Sequence, residues 1–107
     1  MKIFFPLETL DGLNSTLDER FGRAPFIMIY DTDNSEIVLA EANPFAHQDH
    51  GVGVSIANLV VQQECGAAVG NRFGPKAGDI LKKAGVRMID TNSADRETVS
   101  DVLRRIE

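Results

Sequence analysis

The 107-residue sequence predicts a single α/β domain, residues 1–107, built on a mixed five-stranded sheet. Three observations predict it. Short apolar runs alternate with segments whose apolar residues recur at helical spacing. Two of the runs, residues 26–31 and 36–42, are joined by the polar stretch Thr32-Asp33-Asn34-Ser35, which reads as a hairpin turn. Beyond the hairpin, each new strand is reached through a helix. The order β-β-β-α-β-α-β-α, with right-handed crossovers, gives a sheet of order 3-2-1-4-5 in which strand 2 is antiparallel.

Residues 2–8 form the first strand. Ile3, Phe4, Phe5 and Leu7 make a nearly continuous apolar run, which suits a central strand covered on both faces. Asn43-Pro44 ends the third strand, because proline cannot donate to a ladder and restricts the residue before it. From Gly53 to Glu64, Ile56, Ala57, Val60 and Val61 recur at helical spacing. Residues 66–70 are a short buried strand. A helix then starts at Pro75 with Ala77, Ile80, Leu81 and Ala84 on one face, and Gly85 closes it. Residues 86–89 are the fifth strand. The last helix is expected from about Ala94 to Ile106, capped by Asn92 or Ser93, with Asp95 and Glu97 in its first turn. Arg104 and Arg105 sit near its end, as the helix dipole favours. The first two helices should cover one face of the sheet and the third the other.

Composition excludes several functions. One cysteine, Cys65, allows neither an internal disulfide nor a Cys-x-x-Cys redox or zinc pair. The amino-terminal apolar run is too short for a signal peptide, and nothing approaches the roughly 20 apolar residues of a membrane span; a cytoplasmic location is expected. The net charge of −5, with acids and bases well mixed, argues against a nucleic-acid backbone as partner. A small anion on a local basic patch remains open.

In this topology strands 1, 3, 4 and 5 point their carboxyl ends to one edge, where residues 9–25, 43–52, 70–74 and 90–93 meet. Strand order reverses beside strand 1, so the crevice between the loops after strands 1 and 4 is the expected binding place. His47 and His50 lie on that edge, and their spacing lets two imidazoles face one ion. On spacing alone, two solvated loop histidines is the commoner case, and Asp49 is either a further ligand or turn chemistry. Cys65 follows the first helix, roughly 18 Å from the edge by helical rise, and reads as a small buried hydrophobe. Gly70-Asn71-Arg72-Phe73-Gly74-Pro75 leads into a helix amino terminus, where free N–H groups and the dipole can hold an anion; a tight turn needing glycine fits equally well. Arg20, Arg23, Arg72 and Lys76 could supply positive charge. The Gly-Lys-Ser/Thr ending of a phosphate loop is missing, and Gly51-Val52-Gly53 lacks the third glycine of a dinucleotide fingerprint. Glu8 and Asp90 end strands separated by strand 4, which disfavours a two-metal nuclease. Ser15 and Ser55 have no evident base.

Ser15-x-Leu-Asp-Glu-Arg20-Phe21-Gly22-Arg23-Ala24-Pro25-Phe26, Asn43, His50-Gly51, Gly70-Asn-x-x-Gly74-Pro75 and Gly85-Val86 together resemble the dinitrogenase iron–molybdenum cofactor-binding family, to which nitrogenase accessory proteins belong. The resemblance covers nearly the whole chain. It implies a ribonuclease-H-like three-layer α/β/α fold and a non-catalytic role in binding, carrying or helping to assemble an anionic metal–sulfur cluster. That cluster could be iron–molybdenum cofactor-like, iron–sulfur or molybdenum–copper–sulfide, with a cluster-donor or acceptor protein as partner. It further implies a pocket lined by Arg20, Phe21, Gly22, Arg23, Asn43, Gly51, Asn71, Arg72 and Gly74. Of the two histidines, His50 matches the family's His-Gly pattern as a metal ligand, and His47 is the second candidate. The reading from another class is a metal-free regulatory or interaction module that uses the exposed edge of strand 3 or 5.

Overall fold

In a computed structural model, which describes residues 1–91 and 96–106, the strands β1 (Lys2–Leu7), β2 (Phe26–Asp31), β3 (Glu36–Ala42), β4 (Ala67–Gly70) and β5 (Arg87–Asp90) form one sheet. Its order is β3-β2-β1-β4-β5. β2 runs antiparallel to both β1 and β3, and β4 runs parallel to both β1 and β5. Helices α1 (Val52–Gln62) and α2 (Pro75–Lys83) pack on each other. The sheet order and reversed second strand are those that the hairpin and crossovers predict.

Alternation along β1 divides the core. Phe4 faces Ile56, Ala57 and Val60 of α1 and Ala77 and Leu81 of α2, together with Ile27, Ile29 and Ala68 from the sheet. Ile3, Phe5 and Leu7 face the other way, with Met28, Ala67, Val69 and the Val99 and Val102 side chains of α3 (Val99–Ile106). Both faces of the central strand are therefore dry. Burying one such large side chain contributes roughly 1.5–3 kcal/mol.

A proline in this central strand shapes the site. The β1–β4 ladder pairs Ile3 with Ala67 and Phe4 with Ala68 and stops there. Farther along, the Pro6 carbonyl accepts from the Asp18 N–H (2.9 Å), and the Glu8 N–H donates to the Thr16 carbonyl (2.8 Å). A strand residue turns its N–H and C=O to the same neighbour, so the N–H that Pro6 lacks faces residues 16–18 and leaves no acceptor wanting. The long connection thus takes over the β1 edge that β4 gives up.

The third helix begins later than its apolar period suggests. The backbone of residues 97–98 is occupied by the long connection. The Leu17 N–H donates to the Glu97 carbonyl (2.9 Å), Thr16 bridges to Thr98, and the Val99 and Ser100 N–H groups donate to Ser15 and Leu13 carbonyls. Glu97 is therefore not in the first helical turn; it is buried and ion-paired with Arg105. The cap is Thr98, whose Oγ1 accepts from the Asp101 N–H (3.2 Å) while its own N–H donates to Asp101 Oδ2 (3.0 Å), a reciprocal box. The expected roles of Asn92, Ser93, Ala94 and Asp95 lie outside the described residues.

Candidate anion-binding groove

The carboxyl-end edge of the sheet carries the groove, and residues 18–23 shape it. Asp18 is 6 % exposed, and its carboxylate accepts from the Arg20 N–H (2.8 Å), Nε (3.0 Å) and Nη2 (2.9 Å). Burial pushes the Asp18 carboxyl up, but the Arg20 hydrogen bonds and charge outweigh it and hold the group below the usual carboxylate range. Arg20 also pairs through its backbone with Arg72 in an isolated parallel bridge. That bridge ties the loop after β1 to the loop after β4. Beneath it Phe21 is buried, edge-on to Phe4 at 5.5 Å and tilted against Phe73 at 4.9 Å.

Gly22 brings this loop against the start of α1. A Cβ there would lie 2.9 Å from the Gly53 nitrogen and 3.1 Å from Val52 Cγ1, so only glycine allows the approach. Gly51, the residue before α1, is left-handed (φ 74°), and no side chain caps the helix. Gly74 precedes α2, which also lacks a side-chain cap and starts at Pro75. Two helix amino termini with unclaimed N–H groups, each carrying roughly half a positive charge, therefore border the same space.

That space is a cavity of about 540 Å³, lined by Arg20, Phe21, Gly22 and Arg23 from the first loop, Val52 and Gly53 from α1, and Asn71, Arg72 and Gly74 from the loop after β4. The size suits a compact small-molecule guest. Glu19 is the acid on its wall. Neither Arg23 nor Arg72 forms an ion pair with a described residue, so both keep their charge uncompensated. Lys76, in the first turn of α2, is exposed nearby in the chain but lines none of the cavities described.

A second cavity, about 410 Å³, shares Arg20 and Arg23 and adds Pro25, Asn43, Ala46 and His47. Asn43 is 6 % exposed, and its polar atoms are spent inside the protein. Its Nδ2 donates to the Gly22 (2.8 Å) and Ala24 (2.9 Å) carbonyls, and its Oδ1 accepts from the Phe45 N–H (2.9 Å). His50 and Gly51 are exposed, and His50 lines neither cavity. Among the described residues no three metal-ligating side chains converge.

A third cavity, about 320 Å³, has the opposite character: Glu8, Asp18, Glu19 and Glu97 line it with Arg20, Arg96 and Thr91. Arg20 thus stands where basic and acidic surfaces meet. Cys65 is 5 % exposed and packs under α1. Its neighbour Gly66 donates to the Lys2 carbonyl at the start of β1 (2.8 Å), the far end of the sheet from the groove, as expected. Burial pushes its thiol up to about 11, against a small lowering by Lys2. Sequence reasoning missed Asp18, Val52 and Gly53. The available signal was the Gly51-Val52-Gly53 stretch, which opens α1 toward the groove.

The chain matches the dinitrogenase iron–molybdenum cofactor family over residues 1–107. It is 32 % identical over 95 residues to an uncharacterised protein of Methanocaldococcus jannaschii, covering 87 % of this chain and 76 % of the relative. The apo orange protein of Desulfovibrio gigas superposes with a TM-score of 0.82 at 27 % identity, over 98 % of this chain and 85 % of that one. A NifB-like protein of Thermotoga superposes with a TM-score of 0.77 at 25 % identity, over 98 % and 85 %. Motif order, sheet topology and these likenesses agree: the chain belongs to the dinitrogenase iron–molybdenum cofactor family.

Proposed function

We propose that the 540 Å³ cavity receives an anionic metal–sulfur cluster, of iron–molybdenum cofactor, iron–sulfur or molybdenum–copper–sulfide type, and that the protein carries this cargo without transforming it. One observation carries the reading. Arg20 and Arg72 are set opposite each other in a backbone bridge at the cavity wall. Asp18 offsets only Arg20, and with Arg23 also on the wall and Glu19 as its acid the cavity keeps a surplus of positive charge. An anionic guest supplies the missing countercharge. With no cage of three ligating side chains among the described residues, the hold on the cargo is mainly electrostatic and from N–H groups. His47, on the wall of the adjoining cavity, and His50, on the same loop, are the candidate direct ligands. A carrier role also fits the serines: Ser15 Oγ is buried and accepts from the Asp11 N–H (2.7 Å), and Ser55 Oγ bonds the Gln48 amide, so neither faces a base. The cargo's source or recipient would be another protein.

Anaerobic titration with tetrathiomolybdate and copper, and separately with isolated iron–molybdenum cofactor, tests this by absorption and metal analysis. Each charged hydrogen bond lost is worth roughly 1.5–3 kcal/mol, so Arg20→Gln with Arg72→Gln should weaken binding by roughly a hundredfold to ten-thousandfold. Equal uptake by wild type and double variant would rule the groove out. A metal-free interaction module draws on a different observation: Ile37 and Val38 of edge strand β3 are 38 % and 44 % exposed. No uptake of any cluster would favour that reading.

A further inference from the structure

Arg23 stands on the walls of both basic cavities and at the same time holds a loop. Its Nη1 donates to the Ala46 carbonyl (3.1 Å) and its Nη2 to the Asp49 carbonyl (3.3 Å). These two acceptors bracket His47 and Gln48, and Asp49 immediately precedes His50. The loop is otherwise fixed at its start by the Asn43 amide and near its end by the bonds between Gln48 and Ser55. A guanidinium has five N–H donors in one rigid plane. Two are spent on neutral carbonyls, and three remain for a guest in either cavity.

We infer that Arg23 is a positioning residue that couples occupancy of the groove to the order of the histidine loop. An anion bonded to the free N–H groups fixes a side chain that is exposed and without an ionic partner among the described residues. Once that side chain is fixed, its two bonds to the loop form at a smaller entropic cost, so the loop tightens and brings His47 and His50 to rest at the cavity rim. By linkage, tightening the loop raises anion affinity by the same factor. The coupling depends on the planar fork and not on charge alone. Lysine offers three donors from one point and lacks the planar fork, so it reproduces the two loop bonds poorly while holding a guest. This inference rests on the proposed function, since it needs an anion in the groove.

The test is amide exchange at Phe45, Ala46 and Gln48, whose N–H groups are bonded within this loop, with and without tetrathiomolybdate, binding being followed separately by absorption. In wild type the anion should slow exchange at these amides by about fivefold or more, the usual range of a coupling between sites. Arg23→Lys should still take up the anion, more weakly. Its loop amides should exchange faster than wild type without the anion and gain no protection with it. Binding by wild type with no change in loop exchange overturns the coupling and leaves the proposed function standing. So does equal anion-induced protection in Arg23→Lys. Absence of binding by wild type overturns the proposed function, and the coupling with it.

Discussion

Asp18 anchors Arg20 at the edge of the groove: one buried carboxylate accepts three hydrogen bonds from one arginine, between 2.8 and 3.0 Å. The arrangement closes a turn and aims the guanidinium at the same time. Arg20 is 62 % exposed on its side chain while Asp18 is 6 % exposed, so the pair presents a fixed cation to solvent on a buried anionic post. Removing the arginine would strand that buried charge, which is the costly way to break such a pair.

The pH dependence follows. Asp18 has a folded-state pKa below its ordinary value. Its ionised form is thus favoured by folding, and the stabilisation is complete above the ordinary carboxylate pKa of about 3.9. It is lost as the pH falls through the folded value. Asp18→Asn should have a lower thermal midpoint than wild type at pH 7. The gap should narrow steadily below about pH 4. A gap that stays constant down to acid unfolding would show that the carboxylate charge contributes nothing.

Cys65 should be inert in the folded protein. With a thiol pKa of about 11, only roughly one molecule in a thousand carries the thiolate at pH 8, and burial adds a barrier of access. Labelling by a disulfide reagent should therefore be slower than that of a free thiol by on the order of a hundredfold or more, and should become fast in denaturant. Cys65→Ser should leave anion uptake intact while lowering stability, because it buries a hydroxyl. Fast labelling of the native protein would place the thiol at the surface.

Glu64 is a stabilisation target. It sits just past α1 in the left-handed region (φ 58°), where its N–H donates to the Val61 carbonyl (3.0 Å) and the Cys65 N–H to that of Val60 (3.1 Å). This double closure favours glycine, as Gly85 provides after α2 (φ 75°). A side chain there costs roughly 1–2 kcal/mol, and an acid at a helix carboxyl end is also unfavourable. Glycine gives back part of the gain through unfolded-chain entropy. Glu64→Gly should raise the thermal midpoint by roughly 2–8 °C, measurable by calorimetry, with anion binding unchanged.

The contrast between α2 and α3 shows where sequence reading works. α2 was legible because its start and stop are local: Pro75 at the first turn, Gly85 past the end, and apolar period between. Sheet order was legible for a similar reason, since the hairpin at residues 32–35 and two right-handed crossovers leave little choice of topology. The start of α3 was not, because Leu17, Thr16, Ser15 and Leu13 claim the backbone at residues 97–100 from about eighty positions away. The groove divides in the same way. Its edge of the sheet and the Arg20 to Arg23 loop were visible in the sequence. The contribution of α1 was not, because it depends on Gly22 meeting Gly53, a contact between the loop after β1 and the first turn of α1 that no local pattern encodes. Asn43 was legible as a site residue but not in its part, which only its hydrogen bonds define.

Asn43 gives the sharpest separation of fold from site. Its side-chain amide clamps the carbonyls of Gly22 and Ala24 on one side and the Phe45 N–H on the other, and its backbone N–H donates to the Pro25 carbonyl (2.9 Å). Asn43→Ala leaves two carbonyls and one N–H without their partner, each worth roughly 1–3 kcal/mol when buried. Because the loop can relax toward water, a total of about 2–4 kcal/mol is expected. For a chain of this length that lowers the thermal midpoint by roughly 10–20 °C. Asn43→Asp should be worse, since a carboxylate would face two carbonyl oxygens and the lost amide donors have no substitute. Gly22 and Arg23 are the residues released, so anion binding should fall even at temperatures where Asn43→Ala is fully folded by circular dichroism. Cys65→Ser provides the control, because it lowers stability from the opposite end of the sheet. If both variants bind tetrathiomolybdate as wild type does at matched folded fraction, Asn43 holds the fold alone. If only the Asn43 variant loses affinity, the clamp sets the groove.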